Sequence, residues 1–234
     1  MNTCAILDNG DLKCWGKDNY GQLGDGGTNT DLTSPSATPI DLGSGRTAVA
    51  VSNGLYHTCA ILDNGDLKCW GSDYYGQLGT PGSNTLLNAP SSTAIDLGTD
   101  RTAVAVSAGY FNTCAILDNG SLKCWGADGS GQLGDGHPAL SNGVSEPPST
   151  PIDLGTGRTA VAVSSGYYHT CAILDNGDLK CWGDNDYGQL GKGSFDLNSD
   201  TLAPLSTAID LGSGRTAVAI STGYYNTCAI LDNG

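Results

Sequence analysis

One passage of about 55 residues is written four times along this chain, and a fifth copy has begun by its last residue. The block NTCAILDNGDLKCWG opens at Asn2 and recurs with His57, Asn112 and His169 at its head; NTCAILDNG returns as Asn226 to Gly234. The tryptophans Trp15, Trp70, Trp125 and Trp182 are spaced 55, 55 and 57 residues apart. A period in this range means stacked supersecondary units, each too small to bury a core alone and each leaning on its neighbours. The chain therefore reads as a single array over residues 1–234, with repeats at 2–56, 57–111, 112–168 and 169–225 and a partial fifth at 226–234. Units this alike present nearly the same chemistry four times. That suits a scaffold or multivalent binder better than a catalytic site, where unlike groups converge once.

Within one unit, TCAILDNGDLKCWG predicts a β-hairpin around Asp63-Asn64-Gly65. Two registers compete. A two-residue Asn-Gly turn sets Ala60 opposite Cys69, whereas a three-residue loop with Gly65 in the left-handed region sets Cys59 opposite Cys69. The constant ten-residue spacing of the two cysteines favours the second. The segment SDYYGQLG is rich in turn formers, and a variable loop then leads to STAIDLG, which predicts a short strand. RTAVAVS, from Arg101, predicts another, with Val104 and Val106 on one face, Ala103 and Ala105 on the other, and both faces buried. Four strands per unit joined by short turns, without a convincing helix, predict an all-β fold. The expected architecture is a β-propeller of four-stranded antiparallel blades, its ring incomplete or closed through oligomerisation.

The string G-x-x-H/N-T-C-A-I-L-D-N-G-x-L-K-C-W-G followed by G-Q-L-G resembles the regulator of chromosome condensation repeat family, over essentially the whole chain. The resemblance implies a propeller, seven-bladed in family members, and a protein-binding role. It implies no single activity, because members include an exchange factor for a small nuclear GTPase, a plant light receptor and a bacterial secreted inhibitor of β-lactamase. This chain departs from that pattern in having four units and paired cysteines, the latter as in similar microbial surface sequences.

The nine cysteines are Cys4 and Cys14, Cys59 and Cys69, Cys114 and Cys124, Cys171 and Cys181, and the odd Cys228. None lies in a Cys-x-x-Cys arrangement, which argues against zinc. Directly opposed strand positions suit a disulfide within each hairpin, with free buried cysteines as the alternative. Paired cysteines imply an oxidising compartment, hence an extracellular or cell-surface address. Cys228 has three possible fates: pairing with Cys14 of its own chain, pairing with Cys14 of another chain through an exchanged terminal strand, or standing at the cut end of a longer array.

A net charge of −14 with ten Lys plus Arg opposes nucleic acid and anionic lipid, and no apolar run approaches the ~20 residues of a membrane span. The tryptophans are expected to pack between units. The Gly-Gln-Leu-Gly sets are expected to turn the chain and tie neighbouring blades through the glutamine amide. Arg46, Arg101, Arg158 and Arg215 are expected to make a salt bridge or carbonyl bond to Asp41, Asp96, Asp153 and Asp210, with an anion-binding ring of arginines as the sharper alternative. His57 and His169 share their position with Asn2, Asn112 and Asn226, which points to hydrogen bonding and away from metal ligation or proton transfer. No calcium-loop pattern, phosphate-binding glycine loop or nucleophile–base set stands out, so no metal, cofactor or catalytic residue is expected. Variation concentrates in the long loop after Gly-Gln-Leu-Gly and in the turn after Trp-Gly. There Tyr20, Tyr74, Tyr75 and Tyr187 are expected to offer exposed rings for binding. The expected function is a non-enzymatic scaffold for protein or glycan partners. The rivals are an inhibitor or regulator holding one protein through a loop face and, more remotely, a GTPase exchange factor.

Overall fold

The structure, a computed structural model, describes residues 1–27, 29–82, 85–137, 140–195 and 200–234. Parts of all four variable loops lie outside the described residues. The rest is strand and turn, in five antiparallel sheets. The first is the hairpin β1 (Asn2–Ile6) and β2 (Leu12–Gly16). The second contains β3 (Ala48–Asn53), β4 (His57–Leu62), β5 (Leu67–Ser72) and β6 (Leu86–Leu87). The third contains β7 (Ala103–Ala108), β8 (Asn112–Leu117), β9 (Leu122–Asp128) and β10 (Leu140–Val144). The fourth contains β11 (Ala160–Ser165), β12 (His169–Leu174) and β13 (Leu179–Gly183). The last is the pair β14 (Ala217–Thr222) and β15 (Thr227–Leu231). Bridges Gly16↔Leu32 and Gly183↔Thr201 mark the fourth-strand position in the first and fourth sheets.

Each hairpin adopts the register with a three-residue loop. Cys59 lies opposite Cys69 and Ile61 opposite Leu67, and Gly65 carries the positive φ of 83° that lets the loop close. Disulfides join Cys4–Cys14, Cys59–Cys69, Cys114–Cys124 and Cys171–Cys181; Cys228 is free and exposed.

Two strand expectations are corrected. The Ile-Asp-Leu run forms no strand. Asp96 turns its carboxylate onto the N–H of Gly98, and the run is held by Ile95 N–H to the Leu67 carbonyl and by the Lys123 ammonium, which donates to the Leu97 carbonyl. It is an extended strap that buries Ile95 and Leu97. The fourth strand comes instead from the variable loop, as β6 and β10. The Ala-Val-Ala-Val strand is also not buried on both faces. The register shifts between Ala103 and Ala105, and this bulge turns Val104 out to 59% exposure while Ala103 stays buried.

The inner strands β3, β7, β11 and β14 stand side by side about one axis. The Ser52, Ser107 and Ser164 hydroxyls accept the N–H groups of Ala108, Ser165 and Thr222 on the next strand. Behind them, apolar side chains interlock between sheets. Cys59, Ile61, Leu67, Leu78 and Ile95 of one sheet and its strap pack with Ala115, Leu117 and Trp125 of the next. Antiparallel sheets set radially in this way are propeller blades. Among the described residues, three carry a fourth-strand position and all their inner strands, the first has no inner strand and the last no outer ones. Sheet and repeat are out of phase, because each blade's innermost strand is written at the end of the preceding repeat.

Candidate functional site

Strand direction sorts the turns onto two faces. The Asp-Asn-Gly loops and the strap turns fall at one end of the blades. The turns from inner to second strand, and the segments after Trp-Gly, fall at the other. At the first end the arginines are paired, but not with the aspartates expected. Arg46, Arg101, Arg158 and Arg215 reach Asp63, Asp118, Asp175 and Asp232 of the hairpin loops at 3.1–3.4 Å. Asp41, Asp96, Asp153 and Asp210 instead accept glycine N–H groups two residues on.

The other face is aromatic. All ten tyrosines of the chain, with Phe111, form one continuous set of ring contacts. Its spine comes from the turn after each inner strand, where Gly54-Leu55-Tyr56, Gly109-Tyr110-Phe111, Gly166-Tyr167-Tyr168 and Gly223-Tyr224-Tyr225 recur. Near the axis Tyr167 lies 3.9 Å from both Tyr110 and Tyr224, stacked on the latter. Further out, each ring meets one from the preceding blade: Tyr20–Tyr56 at 4.5 Å, Tyr75–Phe111 at 4.8 Å and Tyr187–Tyr225 at 4.5 Å. The third blade has Ser130 where its neighbours have tyrosine, so the outer row breaks beside Tyr168. At the axis the turns surround an open cavity of about 300 Å³, lined by Asn53, Ser165, Thr222, Tyr110, Tyr167 and Tyr224 among others.

The four tyrosines singled out from sequence all lie on this face. Tyr74 and Tyr187 are 64% exposed and Tyr20 is 38% exposed. Tyr75 is a correction: it is half-buried, wedged between Tyr74 and Phe111. Sequence reasoning missed the inner rings Tyr56, Tyr110, Phe111, Tyr167, Tyr168, Tyr224 and Tyr225. The signal was present, because one or two aromatics follow the same glycine in every unit. Burial and hydrogen bonding to Tyr168 and Tyr224 push the Tyr167 phenol well above its usual range, and Tyr225 is pushed up to about 12. These rings remain neutral hydroxyls at any physiological pH, able both to donate and to accept.

Behind the aromatic face the blade junctions repeat one design. The carbonyls of Gln22, Gln77 and Gln132 accept the indole N–H of Trp70, Trp125 and Trp182 at 3.0–3.1 Å and the hydroxyls of Thr58, Thr113 and Thr170 at 2.8–2.9 Å. The tie is therefore main-chain. The glutamine amide stays in its own turn, its oxygen accepting the N–H of Tyr20, Tyr75 or Ser130. The three tryptophans are fully buried, and Trp15 is half-buried. His57 contacts Thr113 Oγ1 at 2.9 Å, and Asn2 makes the equivalent bond to Thr58 at the same distance. Burial lowers the His57 imidazole to about 3 and His169 to about 4, so both are neutral structural ties.

Radial four-stranded blades and these repeated junctions define a β-propeller repeat protein. The chain belongs to the family described as "Regulator of chromosome condensation (RCC1) repeat", which matches residues 9–61, 119–173 and 176–230, and a second description of the same repeat matches 47–77, 103–132 and 160–189. The chain is 29% identical to the ultraviolet-B receptor UVR8 of Arabidopsis thaliana across 97% of its own length and 48% of that protein. Its fold superposes on human WBSCR16 with a TM-score of 0.81 at 22% identity, covering 98% of this chain and 55% of that one. On Prp20p of Saccharomyces cerevisiae the TM-score is 0.79 at 18% identity, covering 97% and 53%. The chain thus spans about half the length of these relatives.

Proposed function

We propose that this chain is a non-enzymatic binding scaffold, displayed outside the cell or on its surface, which holds protein or glycan partners on its tyrosine face. The observation that carries the reading is the gathering of every tyrosine onto one end of the propeller. Tyrosine offers a rigid ring with an apolar body and a polar tip, and so gives contact area at low entropic cost to peptide surfaces and sugar rings alike. The opposite end offers arginines already bound to aspartates. Position-by-position exchange also weighs against catalysis: Asn replaces the buried His, and Asn185 replaces the buried Asp18, Asp73 and Asp128. Four closed disulfides support an oxidising compartment. Prp20p has binding properties toward Gsp1p and histones, which supports a protein as the class of partner here. Weak contacts from like blades would add by avidity.

The test is paired capture on an immobilised glycan panel and on isolated surface proteins, comparing wild type with Tyr74→Ala/Tyr187→Ala. Both side chains are largely exposed, so the melting temperature should not move, while retention should fall at least about tenfold. Unchanged retention by the double variant would remove the tyrosine face as the binding surface. A single partner lost entirely on changing one blade would favour the inhibitor-like rival.

A further inference from the structure

The loop at the tip of each disulfide-closed hairpin reads Asp-Asn-Gly, but the residue that follows it is not constant. It is Asp11, Asp66 and Asp178 in three hairpins and Ser121 in the hairpin of β8 and β9. The turn itself is the same in all four: the asparagine Oδ1 accepts the N–H two residues on, at 3.0–3.2 Å. The amide nitrogen is treated differently. Asn9, Asn64 and Asn176 donate through Nδ2 to the carboxylates of Asp11, Asp66 and Asp178 at 2.8–2.9 Å. Ser121 offers no carboxylate, and among the described residues Nδ2 of Asn119 has no partner. Asn119 is exposed and Ser121 is half-buried.

The backbone around this free amide is held from both sides. The Leu117 N–H donates to the Ser121 carbonyl, the Gly120 N–H to the Leu117 carbonyl, and Arg101 reaches Asp118 at 3.1 Å. Asn119-Gly120-Ser121 is also the one place in the sequence where serine or threonine stands two residues after asparagine. That arrangement, with a residue other than proline between, is the acceptor pattern for an N-linked oligosaccharide, and it belongs on a surface loop of a secreted chain. The pattern alone is common in proteins. Here the exposed loop and the unpartnered nitrogen single it out.

We propose that Asn119 is the attachment site of an N-linked oligosaccharide. This rests on the extracellular reading given above, because the transfer takes place in a secretory compartment. The co-reactant is an oligosaccharide carried on a polyprenyl diphosphate. Nδ2 of Asn119 attacks C1 of the first sugar and an N–C bond forms. The C–O bond to the diphosphate breaks, the polyprenyl diphosphate leaves, and Nδ2 gives up one proton; nothing is oxidised or reduced. In the folded hairpin the new bond displaces no contact at Asn119, whereas at Asn9, Asn64 or Asn176 it would compete with the bond to aspartate. The sugar chain leaves the molecule from the end that carries the Asp-Asn-Gly loops. It therefore shields the side of the paired arginines and leaves the tyrosine face clear for a partner.

Translation of the full chain behind a cleavable secretory leader, in the presence of rough microsomes, tests the proposal. Protection from added protease identifies the chains that have entered. These should migrate above the 23.8 kDa polypeptide, and endoglycosidase H should remove the shift without denaturant. Release by peptide N-glycosidase in heavy-oxygen water should place the isotope at position 119. Ser121→Asp gives this loop the sequence of the other three, so the hairpin still folds, and it should abolish the shift; Ser121→Thr should keep it. Protected wild-type chain with Asn119 unmodified would overturn the proposal, and so would a shift that survives Ser121→Asp. Because the leader is supplied, neither result depends on the chain's own address. That address is read separately, from the disulfide state of the protein taken from its native cells, so failure of the site and failure of the extracellular reading stay distinct.

Discussion

Asp18, Asp73, Asp128 and Asn185 share one position, and the exchange of acid for amide shows what the position needs. One side-chain oxygen accepts the N–H of Leu23, Leu78, Leu133 or Leu190 at 2.8–3.1 Å. In the three aspartates the second oxygen is buried without a partner. Burial therefore pushes the carboxyls of Asp73 and Asp128 up to about 6, against the lowering effect of the leucine N–H bond and, at Asp73, of a hydrogen bond with the Thr85 side chain. The folded state holds these protons more tightly than the unfolded chain, whose aspartate titrates near 3.8. Between those two values the native state binds more protons, so stability falls as pH rises. Asp73→Asn keeps the acceptor and removes the charge. It should raise the melting temperature by a few degrees at pH 8, with the gain fading as pH falls through about 6 toward 3.8. Calorimetry at several pH values reads this directly, and a gain that ignores pH would contradict the burial account.

At the scale of the element, the hairpin was the most legible part of the chain and the outer strand the least. Two cysteines ten apart around Asp-Asn-Gly fixed the register, because a slip of one residue would send every side chain to the wrong face. The closed loop stabilises each hairpin by about 2–3 kcal/mol on the chain-entropy model. Cys59→Ala/Cys69→Ala should lose about that much in a denaturant titration of an otherwise oxidised chain. By contrast, β6 and β10 have little pattern of their own: Leu86–Leu87 is two residues long, and the loops that hold these strands differ in every repeat. The exposed edge of the preceding strand selects them, so propensity has little to say. The Ile-Asp-Leu run misled for the opposite reason. Its alternation is that of a strand, but the Asp96 side chain competes for the backbone N–H that a ladder would use. The valine bulge was hidden likewise, since Ala-Val-Ala-Val reads the same whether or not the register shifts at its second residue.

Across the whole molecule, the candidate site was only half visible in the linear chain. The outer tyrosines stand in a variable turn and draw notice there. The inner ones follow a recurring glycine and become a surface only when the blades set the four turns around one axis. The same radial order makes each repeat interchangeable. Removing residues 57–111 joins Tyr56 to Asn112, so an inner strand still meets a hairpin of the same type, and the Gln22 carbonyl still meets an indole N–H, that of Trp125. The shortened chain should keep its far-ultraviolet signal per residue and melt cooperatively by circular dichroism. Loss of folded structure would mean that the blades are not equivalent as supports.

The offset between repeat and sheet has an evolutionary corollary. Since every unit of text donates its closing strand to the sheet of its successor, duplication or loss of a whole unit breaks no seam, wherever the recombination point falls. Such a gene can lengthen or shorten its product one blade at a time.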